Sequence, residues 1–96
     1  MHKNFQNTNG YIRLITEEER GVGDRLLRYR LYEIFCDDLR VQYAVAVSTY
    51  EEARFVSLGE DSALSGKIYR AMVAGGVTPC TACDVVSDSL KEEYLY

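Results

Sequence analysis

Two of the three cysteines stand three residues apart in Thr78-Pro79-Cys80-Thr81-Ala82-Cys83-Asp84, where the only proline of the chain marks the start of a helix. Free amides and the helix dipole at such a start stabilise a thiolate and lower its pKa, so Cys80 and Cys83 are the candidate redox pair. At about 100° per residue, Cys80 points nearly opposite the stripe of Ala82, Val85 and Val86, and Cys83 lies at its margin. An outward thiol beside a half-buried one suits thiol–disulfide exchange. Oxidoreductase sites of this type follow a strand in a βαβ unit and face a second proline in the cis form. Here the motif follows a helix and a tight loop, and the chain has no second proline.

Other chemistry finds less support. A structural zinc site needs four ligands, and Cys80, Cys83, Cys36 and the lone histidine, His2, are a scattered set. No metal and no cofactor are therefore expected. Cys36, at the end of a strand, reads as a small apolar filler. One histidine at position 2 leaves no hydrolytic triad. Gly21-Val22-Gly23 lacks the third glycine and the following helix of a dinucleotide fingerprint, and reads as a turn. Glu17, Glu18, Glu19, Asp37, Asp38, Glu51, Glu52, Glu60 and Asp61 fall in expected loops, where carboxylates ordinarily face water.

Arg28, Arg30 and Tyr32, with Gln42, fall on the sheet face opposite the expected core. A basic and aromatic sheet surface is what readers of single-stranded RNA use. Their βαββαβ order is absent, and a formal net charge of -4 opposes affinity for phosphate. An exposed sheet face or a dimer surface is the plainer reading. Eight tyrosines exceed what a core this small buries with every hydroxyl satisfied, so some should lie where contacts are made. Tyr94 and Tyr96 in the C-terminal segment join Arg28, Arg30 and Tyr32 as the candidate binding surface, although that segment can also fold back on the helices.

The elements that position these residues follow from hydrophobic rhythm. Residues 1–10 are polar, end in Asn9-Gly10 and read as a flexible tail ahead of a single domain, residues 11–96. Tyr11 to Ile15 alternates as a short first strand, closed by Glu17-Glu18-Glu19 and the turn signal Gly21 to Asp24. Leu26 to Phe35 places Leu27, Tyr29, Leu31 and Phe35 on one side and Arg28 and Arg30 on the other. Val41 to Tyr50 sets Val41, Tyr43, Val45 and Val47 on one face, and Ala53 to Leu58 gives another strand. Beyond Leu58 the period changes from two to nearly four. Asp61 or Ser62 caps a helix with the stripe Leu64, Ile68, Ala71 and Met72, stopped at Gly75-Gly76. Thr78 and Pro79 open the second helix, with Ala82, Val85, Val86 and Leu90 buried. The expected fold is α+β: a three- or four-stranded antiparallel meander followed by two C-terminal helices packed on one face.

From about residue 29 to 93 the chain resembles a small family from Clostridia and related Firmicutes, a domain family with no assigned function. The resemblance rests on Tyr29-Arg30-Leu31-Tyr32-Glu33, Tyr43-Ala44-Val45, and Val77-Thr78-Pro79 followed by Asp84-Val85-Val86. The family pattern has other residues where Cys80 and Cys83 stand, and it implies no catalytic residue, cofactor or partner.

A chain of 96 residues makes one domain with a modest core, which leaves room for dimerisation. No apolar run approaches the roughly 20 residues that span a bilayer, and the first residues lack a signal-peptide core. Three cysteines, an odd count, fit reduced thiols in the cytoplasm. The expected function is a non-enzymatic protein-binding or regulatory module of the bacterial cytoplasm whose partner is itself or another protein. Thiol redox or metal response through Cys80 and Cys83 is the alternative, followed by weak nucleic-acid binding through the outer sheet face.

Overall fold

The computed structural model describes residues 11–36 and 39–94, with side chains through Lys91. The expected tail (residues 1–10), Asp37, Asp38 and Tyr96 lie outside the described residues, as does the side chain of Tyr94. Four strands, β1 (Tyr11–Val22), β2 (Arg25–Phe35), β3 (Val41–Ser48) and β4 (Ala53–Gly59), pair antiparallel in chain order. Helices α1 (Ser62–Gly75) and α2 (Pro79–Tyr94) follow, so the α+β meander with two C-terminal helices stands, with four strands.

β3 ends at Ser48 rather than Tyr50, and β1 departs further from its expected extent. The run Glu17-Glu18-Glu19 does not close β1 but lies within it, and the turn is confined to Gly23-Asp24, with Gly23 at φ 64°. The reason lies across the ladder. Glu17 stands opposite Arg30 and Glu19 opposite Arg28, so opposite charges on neighbouring strands support the pairing that the acidic run alone would oppose.

Alternation along the strands divides the sheet into two faces. The inner face carries Leu27, Tyr29 and Leu31 of β2, Val45 and Val47 of β3, and Leu58 of β4. Leu64, Ile68, Tyr69 and Met72 of α1, with Ala82 and Val86 of α2, complete one contiguous core. Such burial is the main favourable term, at about 25 cal/mol per Å² of apolar surface. α2 lies over β4 and β3, and α1 over β3. Tyr11 stacks on Phe35 with ring centroids 4.7 Å apart.

Local chemistry fixes both ends of α1. Asp61 accepts from the Leu64 amide at 3.0 Å, and Gly76 adopts φ 64°, ψ 39°. The amides of Gly76 and Val77 then reach the carbonyls of Val73 and Met72 at 3.2 and 3.1 Å. The left-handed turn needs glycine. A Cβ there would also meet Val22 Cγ2 at 3.2 Å.

The buried stripe of α1 is rotated from the expected one. Ala71 is exposed, whereas Ser65 and Tyr69 are buried. Tyr69 buries its ring because its hydroxyl finds an acceptor, donating to the Tyr29 carbonyl at 3.2 Å. Ser65 follows it inward, and its Oγ has no hydrogen-bond partner among the described residues. A buried hydroxyl without a partner costs about 1 to 3 kcal/mol. Ser65→Ala should therefore be neutral or stabilising. Gly66→Ala should stabilise by about 0.5 to 1 kcal/mol, because its new Cβ meets only the mobile end of the exposed Arg70, at 3.2 Å. Urea unfolding measures both changes; a loss of more than about 1 kcal/mol in either would contradict this packing.

Candidate functional site

The face that the helices leave uncovered is set by register. On β1 it carries Ile12 and Leu14, then, beyond an irregularity at Ile15, Glu17 and Glu19. β2 adds Arg28, Arg30, Tyr32 and Ile34; β3 adds Gln42, Ala44, Ala46 and Ser48; β4 adds Ala53, Phe55 and Ser57. The expected placement of Arg28, Arg30, Tyr32 and Gln42 opposite the core is what the pairing shows.

The arginines of this face are already engaged. Arg28 donates to Glu19 through Nε at 3.0 Å and Nη2 at 2.6 Å, and its Nε lies 3.4 Å from Glu17. Arg30 Nε donates to Glu17 at 2.8 Å. The hydrogen bond from Arg30, helped by the nearby guanidinium charges, holds the Glu17 carboxyl below its usual value against the opposing effect of desolvation. Arg30 in turn is pushed up, first by Glu17 and then by Tyr32. This end of the face is a self-neutralised ladder of two acids and two bases.

The other end is apolar. Tyr32 and Phe55 approach with ring centroids 5.7 Å apart, beside Ala44, which is only 1% exposed. Next to them Leu14 stands opposite Tyr32, and Ile12 opposite Ile34. Ile12 is 57% exposed, Leu14 46%, Ile15 44% and Phe55 57%. Among the described residues β1 is also an edge strand, bonded to β2 along one side only. Ile12, Leu14, Ile15 and Phe55 were not among the candidates from sequence, yet their signal was present. Val56 and Leu58 turn inward, which sends Phe55 outward by the period of two.

Two shallow depressions adjoin at the opposite corner. One, of about 260 Å3, is lined by Leu26, Arg28, Ser48, Thr49 and Tyr50. Its neighbour, of about 360 Å3, adds Asp24, Arg25 and Glu51. Tyr50 stands at the tip of a turn in which Thr49 Oγ1 accepts from the amides of Glu51 and Glu52, both at 3.2 Å.

All three cysteines are free thiols. Cys80 and Cys83 share the first turns of α2, and both are exposed. Thr78 Oγ1 lies 3.6 Å from Cys80 Sγ and 3.1 Å from Thr81 Oγ1. Cys83 is thus more open than the marginal position expected for it. Cys36 is half-buried at the end of β2, remote in sequence from the pair. Among the described residues, no group of three or more His, Cys, Asp or Glu side chains gathers in a way that could hold a metal ion. Also among them, no helix is long and apolar enough to cross a membrane.

No family model matches the chain, and neither a curated protein nor a solved structure does. The site must speak through its own geometry.

That geometry has a measurable acid signature. Because the folded-state pKa of Glu17 is lowered, its pairing with Arg30 contributes above the ordinary value of 4.5 and is lost as pH falls through the folded value below it. Side-chain carboxyl NMR should show Glu17 titrating below 4.5, and Arg30→Gln should move it up toward 4.5. An unchanged midpoint in Arg30→Gln would show that the pair does not form in solution.

Proposed function

We propose that this chain is a non-enzymatic protein-binding module that receives its partner along the free edge of β1 and the apolar corner beside it. One observation carries the reading: among the described residues β1 is unpaired on its outer side, and its N-terminal half projects the exposed Ile12, Leu14 and Ile15 next to that edge. An edge strand offers a row of unsatisfied amides and carbonyls, a ready template for another strand, and proteins ordinarily guard such edges with charge. Glu17, Glu18, Glu19 and Arg20 guard the C-terminal half of β1. The N-terminal half has only Arg13 among apolar neighbours. Strand addition there gives main-chain affinity from the edge and side-chain specificity from the corner. Three free thiols, two of them exposed, fit a reducing compartment such as the bacterial cytoplasm.

The arginine ladder counts against a nucleic-acid role. Phosphates would have to displace Glu17 and Glu19 from Arg28 and Arg30, and the chain is acidic overall.

A photo-crosslinking residue at Leu14 tests the reading in cells. One at the exposed Ala71, on the helical side, serves as control. A discrete adduct should form from position 14 and not from 71, and should vanish when Ile12→Asp is added. Equal adduct patterns at the two positions would overturn it.

A second reading, thiol exchange, is favoured by the shared exposure of Cys80 and Cys83 at one helix start. Mild oxidation should then consume both thiols together within a single chain, leaving Cys36 reduced. Independent loss of the two thiols, each to an external adduct, would remove that reading.

A further inference from the structure

We infer that the partner taken up by β1 is a second copy of this chain, paired antiparallel so that Arg13 of each copy faces Glu18 of the other. The inference rests on the binding edge proposed above and names its occupant.

The free edge of β1 is long. β1 is bonded to β2 from Tyr11↔Phe35 to Val22↔Arg25, so its other side offers twelve residues of ladder, about twice an average strand. The irregularity between Leu14 and Thr16 then decides which side chains face which way. Before it, Ile12 and Leu14 face outward, and Tyr11 and Arg13 inward. Beyond it, Glu17 and Glu19 face outward, and Thr16, Glu18 and Arg20 inward.

A second copy related by a two-fold axis through the sheet must set outward residues against outward ones. Registers centred on the acidic run place Glu18 on Glu18, or Glu17 on Glu19, and like charges directly opposite destabilise. A register with Arg13 opposite Arg20 fails for the same reason. Pairing Tyr11 with Arg20, Ile12 with Glu19, Arg13 with Glu18 and Leu14 with Glu17 keeps both faces and opposes no like charges. Symmetry makes each pair twice.

The surroundings fit this register. Arg13 and Glu18 are exposed, and α1 meets this strand where Tyr69 approaches Glu18 and where Arg20 caps Val73 and Ala74. Arg13 already donates to Glu33 through Nε at 3.0 Å, so it would bridge carboxylates of two copies. Glu17 and Glu19 are neutralised by Arg30 and Arg28, and so present aliphatic stems to Leu14 and Ile12. Tyr11, stacked on Phe35, meets the aliphatic stem of Arg20, whose guanidinium holds the end of α1. The product is one continuous sheet with twice the strands of a single copy.

Light scattering and sedimentation of the full chain across concentration test the proposal, with Arg13→Glu, Glu18→Arg and the double reversal. The wild type should dimerise. Each single reversal should weaken the dimer by about tenfold or more, and the double reversal should restore it. A wild type monomeric at every concentration, or a double reversal no better than the singles, overturns the proposal. Should a variant lose its native circular dichroism, amide exchange of the wild type decides. Protection of alternate β1 amides that grows with concentration supports self-pairing, and its independence of concentration overturns it. A monomer that still crosslinks from Leu14 to a different protein overturns the self-pairing alone, whereas loss of both signals overturns the binding edge as well.

Discussion

The fold depends on how the C-terminal end of α1 is satisfied. A helix ends with four carbonyls that lack partners within it, and here that end abuts the sheet. Backbone amides of Gly76 and Val77 take the Met72 and Val73 carbonyls, and Arg20 of β1 donates to Val73 at 3.0 Å and Ala74 at 2.6 Å. Tyr29 of β2 donates to the Val77 carbonyl at 2.8 Å. A cation at a helix C-terminus also meets the negative end of the dipole. Two strands thereby hold the connection from which α2 starts. Burial pushes the Tyr29 phenol up, and burial with a hydrogen bond to Glu18 does so for Tyr69, which keeps both as donors. With Tyr69 bonded to the Tyr29 carbonyl, helix, loop and sheet are tied through a few side chains.

This arrangement uses up one face of the sheet. Helices that pack on β3 and β4 and meet β1 through Glu18 and Arg20 leave the whole outer face uncovered. On that outer face polar residues gather where β1 and β2 carry opposite charges, and apolar ones gather around Tyr32 and Phe55. Charge pairing at one end and ring packing at the other are two ways of closing an exposed sheet surface. Neither reaches Ile12 and Leu14, which remain the open part.

Much of this was legible in the sequence, and the failures have physical causes. Period-two alternation located Leu27, Tyr29, Leu31, Val45 and Val47 in the core, and Pro79 and Gly76 marked helix boundaries where the structure has them. The acidic run misled because three adjacent carboxylates repel in isolation, and their partners Arg28 and Arg30 become neighbours only once the hairpin register is set. Ala71 was placed inward by apolarity. Tyr69 displaced it because a tyrosine whose hydroxyl finds a carbonyl buries far more apolar area than alanine. The thiols Cys80 and Cys83 were legible as exposed residues at a helix start, whereas the apolar corner requires knowing which strand lies at the edge.

The bulge at Ile15 joins these threads. In a strand of unbroken alternation, Arg20 would share a face with Ile12 and Leu14, and Glu17 and Glu19 would share the other with Arg13. Keeping Arg20 inward to meet the end of α1, with Glu17 and Glu19 outward beside Arg30 and Arg28, would then turn Ile12 and Leu14 inward and Tyr11 and Arg13 outward, away from Phe35 and Glu33. One extra residue resolves the conflict by shifting the phase midway along β1. Tyr11 then stacks on Phe35 and Arg13 reaches Glu33, while Arg20 still reaches the carbonyls of Val73 and Ala74. Ile12 and Leu14 are left pointing out beside an unpaired edge. The exposed corner is thus a geometric consequence of the bulge, so a change that straightened β1 would either turn Ile12 and Leu14 inward or take Arg20 away from the end of α1.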